Sequence, residues 1–190
     1  MSLSLIKYSP SNDETSEEIR EKYEKVFSIV DESINRGLID GNTKYQVSCG
    51  EIAIHPYKDR INEYVKDKPA EFFTNCFKFD ENIAESLRNS PESKINLSID
   101  AGLSDTWQKV KGVDNFEKVI SNLLRYHNAA QDPNQITLKY IVLPGVNTTE
   151  EDFLNLIGIM NSLKITRLGI SRDVFYKNDL SIIITPIFYY

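Results

Sequence analysis

Four short apolar segments of this chain each run into a small or acidic polar cluster and then into a helix-like stretch: Tyr45 to Glu51, Phe72 to Cys76, Ile95 to Asp100 and Leu138 to Gly145. Strands that alternate with helices in this way are confined to βαβ units, because parallel strands need a crossover long enough to hold a helix. The fold class that follows is α/β with a parallel sheet. In such folds ligands bind where the chain leaves the carboxyl ends of the strands, so the polar clusters mark the expected active face.

The intervening segments carry helical periodicity. From Glu14 to Asp40, residues Ile19, Tyr23, Val26, Phe27, Val30, Ile34 and Leu38 recur at three- and four-residue spacing, with Thr15 and Glu18 as a capping box and Gly37 near the far end. Asp114 and Glu117 open a second stripe of Phe116, Val119, Ile120, Leu123 and Leu124. Thr148 and Glu151 open a third of Phe153, Leu156, Ile157, Met160 and Leu163. Shorter helices are expected at 58–66, 80–89 and 104–110. Residues 1–13 read as a leader or the remnant of a first strand and loop, in which Leu3 to Tyr8 has strand character, and 14–190 as one domain. At the far end, 174–179 reads as a loop. Ser181 to Tyr190 is an apolar run, either a last strand against the sheet or a surface that meets another segment or chain.

A chain of 190 residues with 41% hydrophobic content can bury one core. A complete eight-stranded barrel takes roughly 250 residues. An incomplete parallel (β/α) barrel is therefore the better fit. The segment Ile95, Leu97, Ile99 alternates with Asn96, Ser98, Asp100, which gives this strand one polar face. Sheets covered on both sides read as continuous apolar runs. A polar face implies either a barrel interior or the solvated side of an antiparallel sheet, and the intervening helical patterns count against the second.

A net charge of -6 and a pI near 5.1 argue against a general nucleic-acid or anionic-membrane surface, though not against locally basic pockets. No apolar run approaches the roughly 20 residues of a membrane span, and the N-terminus lacks a signal-like apolar region. Cys49 and Cys76 form neither a disulfide framework nor a zinc-ligand spacing, which points to a reducing cytoplasm and to no metal site of its own.

Several residues stand where chemistry is expected. Glu51 follows Gly50 at a strand end, where glycine lets a ligand or neighbouring backbone approach. His55 and Pro56 read as a turn into the next helix. Ser98 and Asp100 offer a hydroxyl and an acceptor, or Asp100 caps the following helix. Lys139 interrupts an apolar strand and needs either an ion-pair partner or a bound anion. Pro144 and Gly145 end that strand with open backbone. Ser171 and Asp173, alternating with Arg172, add groups for orienting a substrate. Trp107 reads as helix packing, and Cys76 as a small buried side chain.

The order of these clusters resembles the core barrel of the radical S-adenosylmethionine (radical SAM) superfamily over about residues 14 to 173. Gly50 and Glu51 match its Gly-Gly-Glu motif, Thr74-Asn75-Cys76 its Thr-Asn-Gly, and Ser98 to Gly102 its fourth strand end; Leu138 to Gly145 and Leu168 to Asp173 are similar to its fifth and sixth strands. The resemblance implies S-adenosylmethionine as cofactor, contacted by Gly50, Glu51, Asn75, Ser98, Asp100 and Gly145, with Glu51 accepting from the methionyl ammonium. Lys139, Ser171 and Asp173 would then face a small-molecule or peptide substrate. A complete member also carries a [4Fe-4S] cluster on a C-x-x-x-C-x-x-C triad, which reduces the cofactor and yields a 5'-deoxyadenosyl radical. That triad is absent here, so the expectation is a truncated or degenerate domain, inactive alone, that works with a missing upstream segment or a partner chain. A non-catalytic binder of a nucleoside or small anion, and an unrelated acid/base enzyme using Glu51, Asp100 and Lys139, are the alternatives.

Overall fold

The computed structural model describes residues 2–5, 16–41, 43–48 and 51–172. Within them six parallel strands stand in simple sequence order: β1 (Ser2–Leu5), β2 (Lys44–Val47), β3 (Ala70–Thr74), β4 (Lys94–Ser98), β5 (Ile136–Val142) and β6 (Arg167–Arg172). Each strand pairs in parallel with the next. Sequential order means that every crossover advances in the same direction. With uniform crossover handedness, the helices then lie on one side of the sheet, as in a barrel, and not on both sides as in a doubly wound sheet. The result is a partial (β/α) barrel.

The helices are α1 (Ser16–Asn35), α2 (Lys58–Val65), α3 (Glu81–Asn89), α4 (Ser104–Lys111), α5 (Phe116–Ala129) and α6 (Glu150–Ser162). Local chemistry explains their ends. Asp80 caps α3 by accepting from the Asn82 amide, Thr149 caps α6 by accepting from Asp152, and Gly112 closes α4 in the left-handed region at φ 75°. Ile83, Ala84 and Leu87 of α3 and Val119, Leu123 and Tyr126 of α5 are buried at helical spacing against the sheet. Alternate residues of the central strands, Phe72, Ile95, Leu97, Ile136, Leu138 and Tyr140, form the other half of this core. Burying one such side chain contributes about 1.5–3 kcal/mol, which sets the register firmly.

Three sequence expectations shift. The first helix ends at Asn35, not Asp40, because Gly37 takes φ 69° and its amide donates to Ile34, which leaves Leu38 outside the helix and exposed. The second and third stripes begin one turn-residue later than their capping signals, after Asn115 and Thr149. Leu124 and Ile157 face solvent instead of the core. The Thr15 cap and the Val174 to Tyr190 tail lie outside the described residues. Leu3 to Leu5 belong to a strand of the sheet.

Around His55 the contacts fix the turn into α2. The Tyr57 amide donates to Nδ1 at 3.1 Å, so Nε2 carries the proton and meets the Tyr23 hydroxyl at 2.7 Å. Burial lowers the imidazole pKa below its ordinary value, which keeps the ring neutral. The turn reading of His55 is the one this geometry fits.

Candidate active-site rim

The carboxyl ends of β2 to β5 gather the polar clusters on one rim. Glu51, just beyond β2, is held by the end of β3: the Thr74 hydroxyl lies 2.8 and 2.9 Å from its two carboxylate oxygens, and the Asn75 amide donates to Oε2 at 2.8 Å. Burial raises the Glu51 pKa above the ordinary carboxylate value, and these donors only partly offset it. Thr74 also accepts from the Cys76 amide at 2.9 Å. Cys76 itself sits at φ 61°, in the left-handed region that favours glycine, with its side chain fully buried and its thiol pushed well up by burial. It is the small buried residue expected, in a backbone shape that suits the glycine it stands in for.

Asp100 is held by donors from within the protein. At φ 46° and 2% exposed, it accepts from the Ile141 amide at 2.6 Å and from the Lys111 ammonium at 2.6 Å. Both carboxylate oxygens are therefore engaged by protein donors, which tie the end of β4 to β5 and to α4. Nor does it cap that helix, whose N-cap is Leu103. Ser98, by contrast, ends β4 half-buried on the face away from the helices. Gly145 turns the chain after β5 at φ 76°, with its amide 3.3 Å from the Thr148 hydroxyl and open space where a side chain would be.

Two rim residues escaped the sequence reading. Asn147, fully buried, donates to the carbonyls of Asp100 and Ile141 at 2.9 and 2.8 Å and accepts from the Leu143 amide at 2.7 Å. Asp152 accepts from the amides of Gly102 and Leu103 at 3.0 and 3.1 Å and from the Tyr140 hydroxyl at 2.5 Å. Gly102 has to be glycine, since a Cβ there would stand 2.0 Å from the Asp152 carbonyl oxygen. Asn147 follows a Pro-Gly turn and Asp152 lies in a helical first turn, positions where such residues ordinarily read as turn and dipole chemistry.

Register gives the concave face away from the helices. Gln46, Glu71 and Lys94 form one row, Phe73, Asn96, Thr137 and Arg167 the next, and Ser98, Lys139 and Gly169 the row nearest the rim, with Ser171 beside Ile141 above it. Glu71, also unnoticed in the sequence, accepts from Asn96 at 2.7 Å and from Gln46 at 3.5 Å. Lys139 has no carboxylate within ion-pair distance among the described residues, so the structural ion pair considered for it is not found there. Gly50, Cys49 and Asp173 lie outside the described residues. Trp107 packs at 2% exposure against Phe116.

Comparison with known proteins decides what this rim belongs to. The model of the radical SAM superfamily matches residues 8–157, most of the chain. The chain belongs to the radical SAM superfamily. It is 27% identical over 129 residues to the GTP 3',8-cyclase of Microcystis aeruginosa, covering 63% of this chain and 37% of that protein. Its fold matches Streptococcus suis SuiB bound to S-adenosylmethionine at a TM-score of 0.56 and 15% identity, covering 72% of this chain and 31% of SuiB. SuiB bound to its precursor peptide SuiA matches at 0.52 and 15% identity, covering 68% and 28%. The chain thus spans about a third of the length of these relatives.

The radical SAM family implies S-adenosylmethionine and a [4Fe-4S] cluster as cofactors. A buried carboxylate such as Glu51, which carries an ionisation cost and retains acceptor capacity, fits an ammonium. The cluster is not matched by this chain's own cysteines, of which there are two, one of them the inert Cys76. Among the described residues no group of three or more His, Cys, Asp or Glu is arranged to hold a metal ion, and no helix is long and apolar enough to cross a membrane.

Proposed function

We propose that this radical SAM domain holds S-adenosylmethionine on the rim of β2 to β5 and orients it against a substrate on the concave face. Glu51, beside Gly50, accepts hydrogen bonds from the methionyl ammonium. Asn75 and Ser98 supply polar contacts to the nucleoside and carboxylate parts, and the open backbone at Gly145 receives the purine. The observation that carries this reading is the geometry of Glu51, a carboxylate held against β3 by Thr74 and Asn75 in a site whose burial makes an opposite charge favourable. Asp100 and Asn147 keep the rim in shape. Lys139 and Ser171 face the substrate, a small molecule or a peptide, as SuiB is seen with a peptide.

In the complete family the cluster supplies the electron for cleaving the cofactor's carbon–sulfur bond. This chain's residues bind and orient, and are expected to be inactive alone: anaerobic iron and sulfide should give no stoichiometric cluster, and reductant should release no 5'-deoxyadenosine above blank. The engagement of Asp100 by Lys111 and Ile141 counts against an acid/base enzyme built on Glu51, Asp100 and Lys139. Amide shift mapping during titration with S-adenosylmethionine tests the binding reading. Shifts should cluster at Glu51, Asn75, Ser98 and Gly145; shifts confined to the opposite ends of the strands would overturn it.

A further inference from the structure

The loop that leaves β3 carries two rings with a cation between them, Phe77-Lys78-Phe79, and α5 lays two more cations on those rings. The Lys118 ammonium stands 4.3 Å from the centre of the Phe77 ring, and the Arg125 guanidinium 3.4 Å from the centre of Phe79. Lys118 and Arg125 lie two turns apart, so they share one face of α5 at about 10 Å along its axis. The loop is held from beneath. The buried Asn122 amide donates to the carbonyls of Cys76 and Phe77 at 2.9 and 3.3 Å, the Asp80 amide donates to the Tyr126 hydroxyl at 2.8 Å, and Phe79 packs on Tyr126 with ring centres 4.7 Å apart. The rings keep the two cations in position, so a ligand that meets them finds less side-chain freedom left to lose.

Charge singles this surface out. The protein carries 28 acidic and 22 basic residues, yet Lys78, Lys118 and Arg125 are all exposed and make no ion pair among the described residues. The carboxylates close to them in sequence are engaged or turned away. Asp80 is buried and caps α3, Glu81 pairs with Arg88, Asp114 accepts from the Ser104 hydroxyl, and Glu117 points about 100° round the helix from Lys118. A cationic patch on an acidic protein draws anionic partners to that patch while the rest of the surface repels them.

We propose that this surface docks an acidic polypeptide segment, whose carboxylates meet Lys78, Lys118 and Arg125 and whose apolar side chains meet the half-buried rings of Phe77 and Phe79. A basic track of three side chains, bounded by Glu81 and Glu117, suits a short run of carboxylates better than a nucleic-acid backbone, whose binding draws on many phosphates. The Phe77 amide donates to the Asn75 side chain at 2.9 Å, so the docked segment lies beside the rim. The inference stands apart from the cofactor reading and does not need it.

Titration at low ionic strength with three probes tests it: a capped hexaglutamate peptide, a capped hexalysine peptide and hexathymidylate, read by amide shifts. Hexaglutamate should shift the amides of Phe77, Lys78, Phe79, Lys118 and Arg125, and its binding should weaken as salt is added. Hexalysine should not shift them, and hexathymidylate should bind more weakly than hexaglutamate. The double variant Lys118→Gln/Arg125→Gln, whose side chains are exposed, should lose about tenfold in affinity for hexaglutamate with the fold intact by circular dichroism. Lys25→Gln/Lys66→Gln removes the same charge from exposed positions on and beyond other helices, and should keep the parent affinity. No hexaglutamate shift at those amides, full affinity in Lys118→Gln/Arg125→Gln, or an equal loss in Lys25→Gln/Lys66→Gln would overturn the inference. Tighter binding of hexathymidylate at the same amides would overturn it in favour of a nucleic acid.

Discussion

The Thr74 hydroxyl lies within 2.9 Å of both carboxylate oxygens of Glu51, so the end of one strand aims the acid that leaves its neighbour. The same hydroxyl accepts from the buried Cys76 amide. One side chain thereby fixes the carboxylate and the left-handed turn beside it.

Replacing Thr74 with valine, which keeps the shape, should cost about 1–3 kcal/mol, because the Cys76 amide loses its acceptor and Glu51 a donor. Urea unfolding measures this directly. A variant as stable as the parent would mean that the Thr74 contacts are not structural.

Glu51 also sets a pH dependence. Its folded pKa is raised above the ordinary value of 4.5 by burial. Between 4.5 and the raised value the folded state binds more protons than the unfolded chain, so stability is greatest below 4.5 and falls as pH rises through that window. Glu51→Gln should remove this part of the slope, measured as the difference between the two proteins' unfolding free energies across pH. A difference that is flat, or that rises with pH, would contradict the burial of an uncompensated carboxylate.

Gly102→Ala should destabilise by about 3 kcal/mol, at the upper end for overpacking, since the atoms met are backbone of α6 that cannot rotate away. Thermal unfolding alongside Gly145→Ala, where the space is open and only the positive φ of 76° resists, should show the smaller loss at Gly145. Equal effects would rule out the close approach of α6 to the β4 loop.

Asp100→Ala should cost roughly 3 kcal/mol by stripping the partner from Lys111 and the acceptor from Ile141, and Asp100→Asn should cost less because one acceptor remains. Denaturant midpoints test the order. If both variants matched the parent, Asp100 would not be the tie between β4 and β5 described above.

Much of this was legible in the chain itself. The alternation of strand and helix, the parallel order and the rim of Glu51, Asn75, Ser98 and Gly145 follow from apolar runs that end in polar residues. The partners of Asp100 could not be read, because they are 41 residues away at Ile141 and 11 away at Lys111, and spacing alone does not bring them together. Glu71 was missed for the same reason. Alternation shows that it shares a face with Gln46 and Asn96 only once the register of three strands is known. Leu38 failed because periodicity continues past the point where Gly37 ends the helix.

Calorimetric titration of S-adenosylmethionine into the chain and into Glu51→Ala, side by side, measures whether this carboxylate holds the cofactor. Weak binding is expected, because the two cysteines of this chain do not make up the ligand set of the family's cluster, and removing the carboxylate should cost at least about 1 kcal/mol, or roughly fivefold in affinity, through loss of a charge-assisted hydrogen bond. The same affinity in both proteins, or none in either at millimolar cofactor, would contradict the assignment of Glu51 to the cofactor.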